Sequence, residues 1–151
     1  MDKEIKTEIT INAKPEKIWA ILTDFGNYPT WNPFIKSLSG RVAVGNKINV
    51  RLEPPGATGM SFEPEILAFE PKKELRWIGH LFFRGLFDGE HKFELIDKGN
   101  GTTSFKQSEK FKGILIPLLK KMLDTKTVAG FNLMNQKLKE LAEKTIPMLS
   151  V

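Results

Sequence analysis

The residues with the most chemical promise are His91, Gln107 and Glu109. His91 alternates with Phe93 and Leu95, and Gln107 and Glu109 alternate with Phe105 and Phe111. In a strand, residues two apart share a face, so these apolar neighbours place all three polar side chains on the core side of a hairpin. An imidazole, an amide and a carboxylate in such an interior must bond to one another, to water or to a ligand. Two readings follow. The three form a structural network or a wet rim, or Glu109 and His91 act on a ligand carbonyl or hydroxyl as proton donor and acceptor.

Two arginines could take an anionic group. Arg76 alternates with Leu75 and Trp77 and is therefore expected to face solvent, and Arg84 follows the same strand. Other chemistry is poorly represented. The chain has no cysteine and only two histidines, so a thiol nucleophile and a thiolate metal site are excluded and a structural zinc is not expected. Neither a glycine-rich phosphate loop nor a Gly-x-Ser-x-Gly elbow occurs. No cofactor is expected.

Large apolar side chains dominate the remaining candidates. Trp31, Phe34, Phe62, Trp77, Phe93, Phe105, Phe131, Met122 and Met134, with Gln107 as a polar contact, are the expected lining of an apolar site, and Phe82, Phe87 and Phe111 add to the aromatic content. Each such side chain contributes roughly 1.5–3 kcal/mol on full burial, so a core alone would also account for them.

The elements that must position these residues can be read from periodicity. Glu4 to Asn12 alternates with Ile5, Ile9 and Ile11 on one face, as a half-buried strand does. Pro15 opens a helix carrying Ile18, Ile21, Leu22 and Phe25. Tyr28 to Phe34, with two prolines and three aromatics, predicts a short helical turn or packed loop. Strands are predicted over Ile35 to Leu38, Lys47 to Glu53, Met60 to Phe69, Glu74 to Phe83, Gly89 to Ile96 and Thr102 to Phe111. Pro64 implies an edge or a bulge in the third of these. From Pro117 to about Lys144 the period becomes helical, with Gly130 requiring either a close approach, room for a ligand or a bend.

This order predicts an α+β fold in which a long C-terminal helix lies across a curved antiparallel sheet, with two short helices after the first strand. Nothing divides the 151 residues, so one domain is expected over 1–151, its core about 3–144 and a loosely packed tail from Thr145 to Val151. The net charge of +5 and pI of about 9.4 raise nucleic acid as a partner, but the lysines are dispersed among acids and no nucleic-acid binding is expected. The longest apolar run, Ile114 to Leu119, falls far short of the roughly 20 residues of a transmembrane helix. The N-terminus lacks the pattern of a secretory signal, so the expected location is the cytoplasm.

Several local patterns carry a family resemblance: Ile11-Asn12-Ala13-Lys14-Pro15-Glu16-Lys17-Ile18-Trp19 through Phe25, Trp31-Asn32-Pro33-Phe34, Leu75-Arg76-Trp77-Ile78-Gly79, Gly89-Glu90-His91-Lys92-Phe93 and Ser108 to Gly113. In this order the chain resembles the SRPBCC, or START-like, superfamily and within it the polyketide cyclase/dehydrase-like proteins. The resemblance implies a helix-grip fold whose cavity takes lipids, polyketides or other apolar molecules. It supplies no reaction. The leading expectation is a binding or carrier protein for a small apolar molecule. The alternatives are a cyclase or dehydratase-like enzyme using His91 and Glu109, and a protein- or membrane-surface module exposing Leu86, Phe87 and the Ile114 to Leu119 segment. Oligomeric state is not legible in the residues.

Overall fold

The structure, a computed structural model, describes residues 2–81 and 83–144. The predicted core contribution of Phe82 and the predicted tail from Thr145 lie outside the described residues. The element order is β1 (Asp2–Ile11), α1 (Pro15–Leu22), a 3₁₀ turn (Phe25–Asn27), α2 (Tyr28–Trp31), β2 (Ile35–Ser39), β3 (Asn49–Leu52), β4 (Met60–Phe62), β5 (Glu65–Glu70), β6 (Glu74–Leu81), β7 (Phe87–Asp97), β8 (Thr103–Lys112), α3 (Ile116–Met122), a π turn (Leu123–Thr127) and α4 (Val128–Glu143).

One antiparallel sheet has the order β1-β8-β7-β6-β5, and a smaller one has β2-β3-β4. The chain from Met60 to Phe69 is not the single strand its composition predicts. Pro64 cannot donate to a ladder, and the strand breaks there, sending β4 to one sheet and β5 to the other. The Pro64 carbonyl still accepts from Ile48 N, and Ile66 N donates to Asn46 O, so this break also joins the two sheets. With α4 packed across it, the sheet forms the helix-grip arrangement expected from the element order.

The final helix is continuous in direction but not uniform. Thr125 Oγ1 donates to Lys121 O at 2.7 Å, competing with the amide that would close an α-turn, and the backbone opens into the π turn over Leu123–Thr127. Beyond it α4 buries Phe131, Met134, Asn135, Leu138 and Ala142 against the sheet. Gly130 has a definite reason to lack a side chain. A Cβ there would lie 2.8 Å from Phe34 Cε1, so the helix can seat on the Phe34 ring only with glycine at this position.

The short helices close one end of the core. Pro15 occupies the first turn of α1, whose Ile18 and Leu22 are buried. Tyr28 is fully buried on α2 and its hydroxyl donates to Leu22 O, which ties α2 to the end of α1. The convex face of the larger sheet is polar: Arg76 lies 2.7 Å from Glu74 and 3.0 Å from Glu90, as its alternation predicts. Hydrogen bonds that the Arg76 guanidinium donates to the Glu90 and Glu74 carboxylates hold its pKa above the ordinary value. Acids interleave with the lysines across this face, with Lys92 next to Glu94 and Lys6 next to Glu4.

Candidate functional site

The pairing of β7 with β8 sets His91 opposite Glu109 and Phe93 opposite Gln107. Strand parity turns His91, Gln107 and Glu109 to the concave side, beneath α4. His91 Nδ1 lies 2.8 Å from Glu109 Oε1, and His91 Nε2 lies 3.0 Å from Gln107 Oε1. The Gln107 amide donates to Asn135 Oδ1 at 2.7 Å, Asn135 Nδ2 donates to Thr7 Oγ1 at 2.8 Å, and Thr7 Oγ1 donates to Gln107 O at 2.7 Å. One connected network thus joins β1, β7, β8 and α4.

The donors fix the protonation pattern. Gln107 turns its NH₂ to Asn135, so its oxygen faces His91 and the imidazole Nε2 must carry a proton. Nδ1 then either donates to an ionised Glu109 or accepts from its neutral carboxyl. Trp77 stacks on the imidazole at 5.2 Å and Phe131 meets it edge-on at 5.1 Å, which excludes water from its faces.

Glu109 differs from its partners in reaching a free space. Its carboxylate lies over Gly89, where a Cβ would collide with Oε2, and the side chain is 15% exposed. It lines an apolar cleft of about 100 Å³ whose walls include Phe34, Phe62, Leu81, Phe87, Phe111 and Met122. Gly79 leaves room for the Phe62 ring, which a Cβ would touch at 2.9 Å. The cleft is therefore a predominantly apolar space with a single carboxylate on its wall and a histidine behind it.

The predicted lining residues occupy three settings. Phe34, Phe62 and Met122 form cleft wall. Trp77, Phe93, Phe105, Phe131 and Met134 are buried core, with His91 and Gln107 among them. Trp31 is also buried but sits against Tyr28 on α2, 5.4 Å between ring centroids, away from the cleft. Arg76 lies on the convex face and Arg84 is exposed in the turn after β6.

Residues that periodicity did not single out complete the site. Thr7 lies on the apolar face of β1 between Ile5 and Ile9, and Asn135 is a polar residue within the buried stripe of α4. A polar residue at a buried helical position was the available signal for Asn135. Pro54, Ala57, Thr58 and Met60 reach the cleft from the segment after β3, whose path no periodic pattern describes. Among the described residues no group of histidine and acidic side chains is arranged to hold a metal ion.

Comparison with known proteins gives a consistent placement. The sequence profile of the family described as polyketide cyclase/dehydrase and lipid transport matches residues 2–144. No curated protein sequence matches the chain. Among solved structures, the Zhui aromatase/cyclase from Streptomyces sp. R1128 superposes with a TM-score of 0.76 at 11% identity, covering 95% of this chain and 94% of that one. Norcoclaurine synthase from Thalictrum flavum, in complex with dopamine and hydroxybenzaldehyde, gives 0.72 at 14% identity, covering 97% and 90%. A START superfamily protein from Mycobacterium smegmatis gives 0.70 at 19% identity, covering 93% and 97%. At these identities the likeness establishes the helix-grip fold.

Proposed function

The chain belongs to the polyketide cyclase/dehydrase and lipid transport family, and on that premise we propose that it is a binding or carrier protein for a small hydrophobic molecule of lipid, polyketide or quinone-like character. The observation that carries the reading is the apolar cleft with Glu109 as its single carboxylate. Apolar walls supply affinity and a few polar groups, here Glu109 with His80, Thr58 and Thr127, fix orientation, which is the usual division of labour in a small-molecule site. The ligand then carries a hydroxyl or carbonyl that meets Glu109.

The cleft of about 100 Å³ is smaller than the roughly 300–1,000 Å³ of typical ligand pockets. Binding therefore moves wall residues, and Met122, an unbranched side chain beside the π turn, is the adaptable part of the wall. Native mass spectrometry of freshly purified protein, followed by organic extraction, tests the proposal. One apolar compound per chain, retained about tenfold less well by Glu109→Leu, is the expected result. Protein that is always empty, with a melting temperature unmoved by lipids, quinones and polyketides, would overturn it.

The hydrogen bond between His91 and Glu109 favours one second reading, a cyclase or dehydratase that moves a proton at a ligand carbonyl. Turnover of a polyketide-like substrate that disappears in Glu109→Gln while binding persists would select the enzyme. A ligand bound by the native protein and recovered unchanged would select the carrier.

A further inference from the structure

At one rim of the cleft, large apolar side chains face outward among cations. Phe83 is 63% exposed, Ile114 75% and Leu118 79%, far more than most of the other large apolar residues. They belong to two segments, 83–86 after β6 and 113–121 from the end of β8 into α3. The segments are tied side by side, since Ile114 N donates to Gly85 O at 3.2 Å and Leu115 N to Leu86 O at 3.1 Å. Gly113, at φ +138°, permits this contact, because a Cβ there would strike the Leu86 carbonyl.

Both segments are also basic. They contain Arg84, Lys120 and Lys121 and no acidic residue. Lys120 lies 4.0 Å from Asp124, whereas Arg84 and Lys121 have no ion-pair partner among the described residues. The nearest acid of the turn, Asp88, is engaged by His80 and by the Gly85 amide. This differs from the convex sheet face, where acids compensate the cations. Lys112 lies between Asp2 and Asp88 on the convex face, so the cations beside the exposed apolar side chains are Arg84, Lys121 and the weakly paired Lys120. Exposed apolar side chains flanked by these cations match a surface that is apolar beneath and anionic on top.

We propose that segments 83–86 and 113–121 form a docking surface for a bilayer containing anionic phospholipid, with Phe83, Ile114 and Leu118 entering the acyl boundary and Arg84, Lys120 and Lys121 meeting the headgroups. The residues flanking these segments, Leu81 and Phe87 on one side and Phe111 and Met122 on the other, line the cleft. Docking thus sets the rim of the cleft against the membrane, where an apolar ligand would transfer without crossing water. That purpose rests on the carrier reading, but the docking itself needs no ligand.

Flotation of the full chain with vesicles tests the docking alone. The protein is expected to float with phosphatidylcholine/phosphatidylglycerol vesicles, to bind phosphatidylcholine vesicles at least tenfold more weakly, and to dissociate as salt rises. Each patch cation is worth roughly fivefold in partition, so Lys120→Glu with Lys121→Glu should weaken binding more than about tenfold. The triple variant Phe83→Ser, Ile114→Ser, Leu118→Ser should weaken it about tenfold or more, with unchanged circular dichroism. Lys14→Glu with Lys98→Glu makes the same change in net charge at the opposite end of the sheet and should leave binding within about twofold. Absence of binding at low salt would overturn the docking, as would equal losses from the two charge pairs or indifference to the serine variant. A stable soluble complex with an acidic protein in place of vesicle binding would overturn it too. None of these results bears on whether the cleft holds a ligand.

Discussion

The ring of Phe34 occupies the space that a side chain at position 130 would fill, with Cε1 2.8 Å from where a Cβ would stand. The same ring lies 5.4 Å from that of Phe131 in an edge-on contact and also forms part of the cleft wall. The glycine thus couples the seating of α4 to the shape of the cleft. Gly130→Ala raises helix propensity by about 1 kcal/mol but forces an overlap, which costs roughly 1–3 kcal/mol in a packed interior. Urea denaturation should show a net loss of stability, restored in part by Phe34→Leu in the same chain. A stabilised Gly130→Ala single variant would mean that the ring yields easily and that the coupling is weak.

The hydrogen bonds that Asn135 makes with Gln107 and Thr7 link α4 to the polar network of the sheet. Removing one partner leaves a buried polar group unsatisfied, so Asn135→Leu should destabilise by about 1–3 kcal/mol. Gln107→Leu should do the same and also free the His91 imidazole, whose Nε2 loses its acceptor. Because both changes break one network, the double variant should be less damaged than the sum, by roughly 0.5–3 kcal/mol. Strict additivity in a double-mutant cycle would show that the residues contribute separately.

Much of this network was legible from the alternation of His91 with Phe93 and Leu95 and of Glu109 with Phe111, because strand parity is a local property. The helix-grip fold followed from the order of elements and from the family resemblance. What local pattern could not convey was tertiary. Asn135 falls within the apolar stripe of Phe131, Met134 and Leu138, which marks it as buried but does not say that its partners are Gln107 and Thr7. Pro64 signals an irregular strand, but not that the two halves join different sheets. The cleft wall draws on residues 54–60, an aperiodic segment, and Trp31 lies far from it although its composition matches the lining. The π turn over Leu123–Thr127 is likewise not marked by any local pattern.

The end of α4 carries an acid whose ionised form the fold prefers. Lys139 donates to the Glu143 carboxylate, and Asn12 N donates to it at 2.7 Å, so the carboxyl pKa is held below its ordinary value. A depressed pKa contributes stability above the unfolded value of about 4.3, and that contribution is lost as pH falls through the folded value. Solvent screening at this site limits the effect to below about 1 kcal/mol. Glu143→Gln should therefore be slightly less stable at neutral pH and should lose stability less steeply in acid. Parallel acid limbs for the two proteins in thermal denaturation would show that the Lys139 and Asn12 contacts contribute nothing.

Tyr28 gives an alkaline counterpart that one chromophore can report, since it is the only tyrosine in the chain. Its phenol is buried, and its pKa is pushed up, chiefly by desolvation and secondarily by the Asp24 carboxylate. The unfolded chain releases this proton near pH 10 while the folded chain keeps it. Above that pH the native state binds the extra proton, so this group's contribution falls by about 1.4 kcal/mol per pH unit. Two results are expected on raising the pH. Phenolate absorbance should stay absent until the protein unfolds, then appear together with the loss of circular dichroism. Tyr28→Phe should be less stable at neutral pH by about 0.5–1.5 kcal/mol, through loss of the bond to Leu22 O, yet decline less steeply above pH 10. Phenolate formation in a fully folded chain would show that the α1–α2 corner opens to hydroxide without global unfolding, and would place its stability well below that of the sheet.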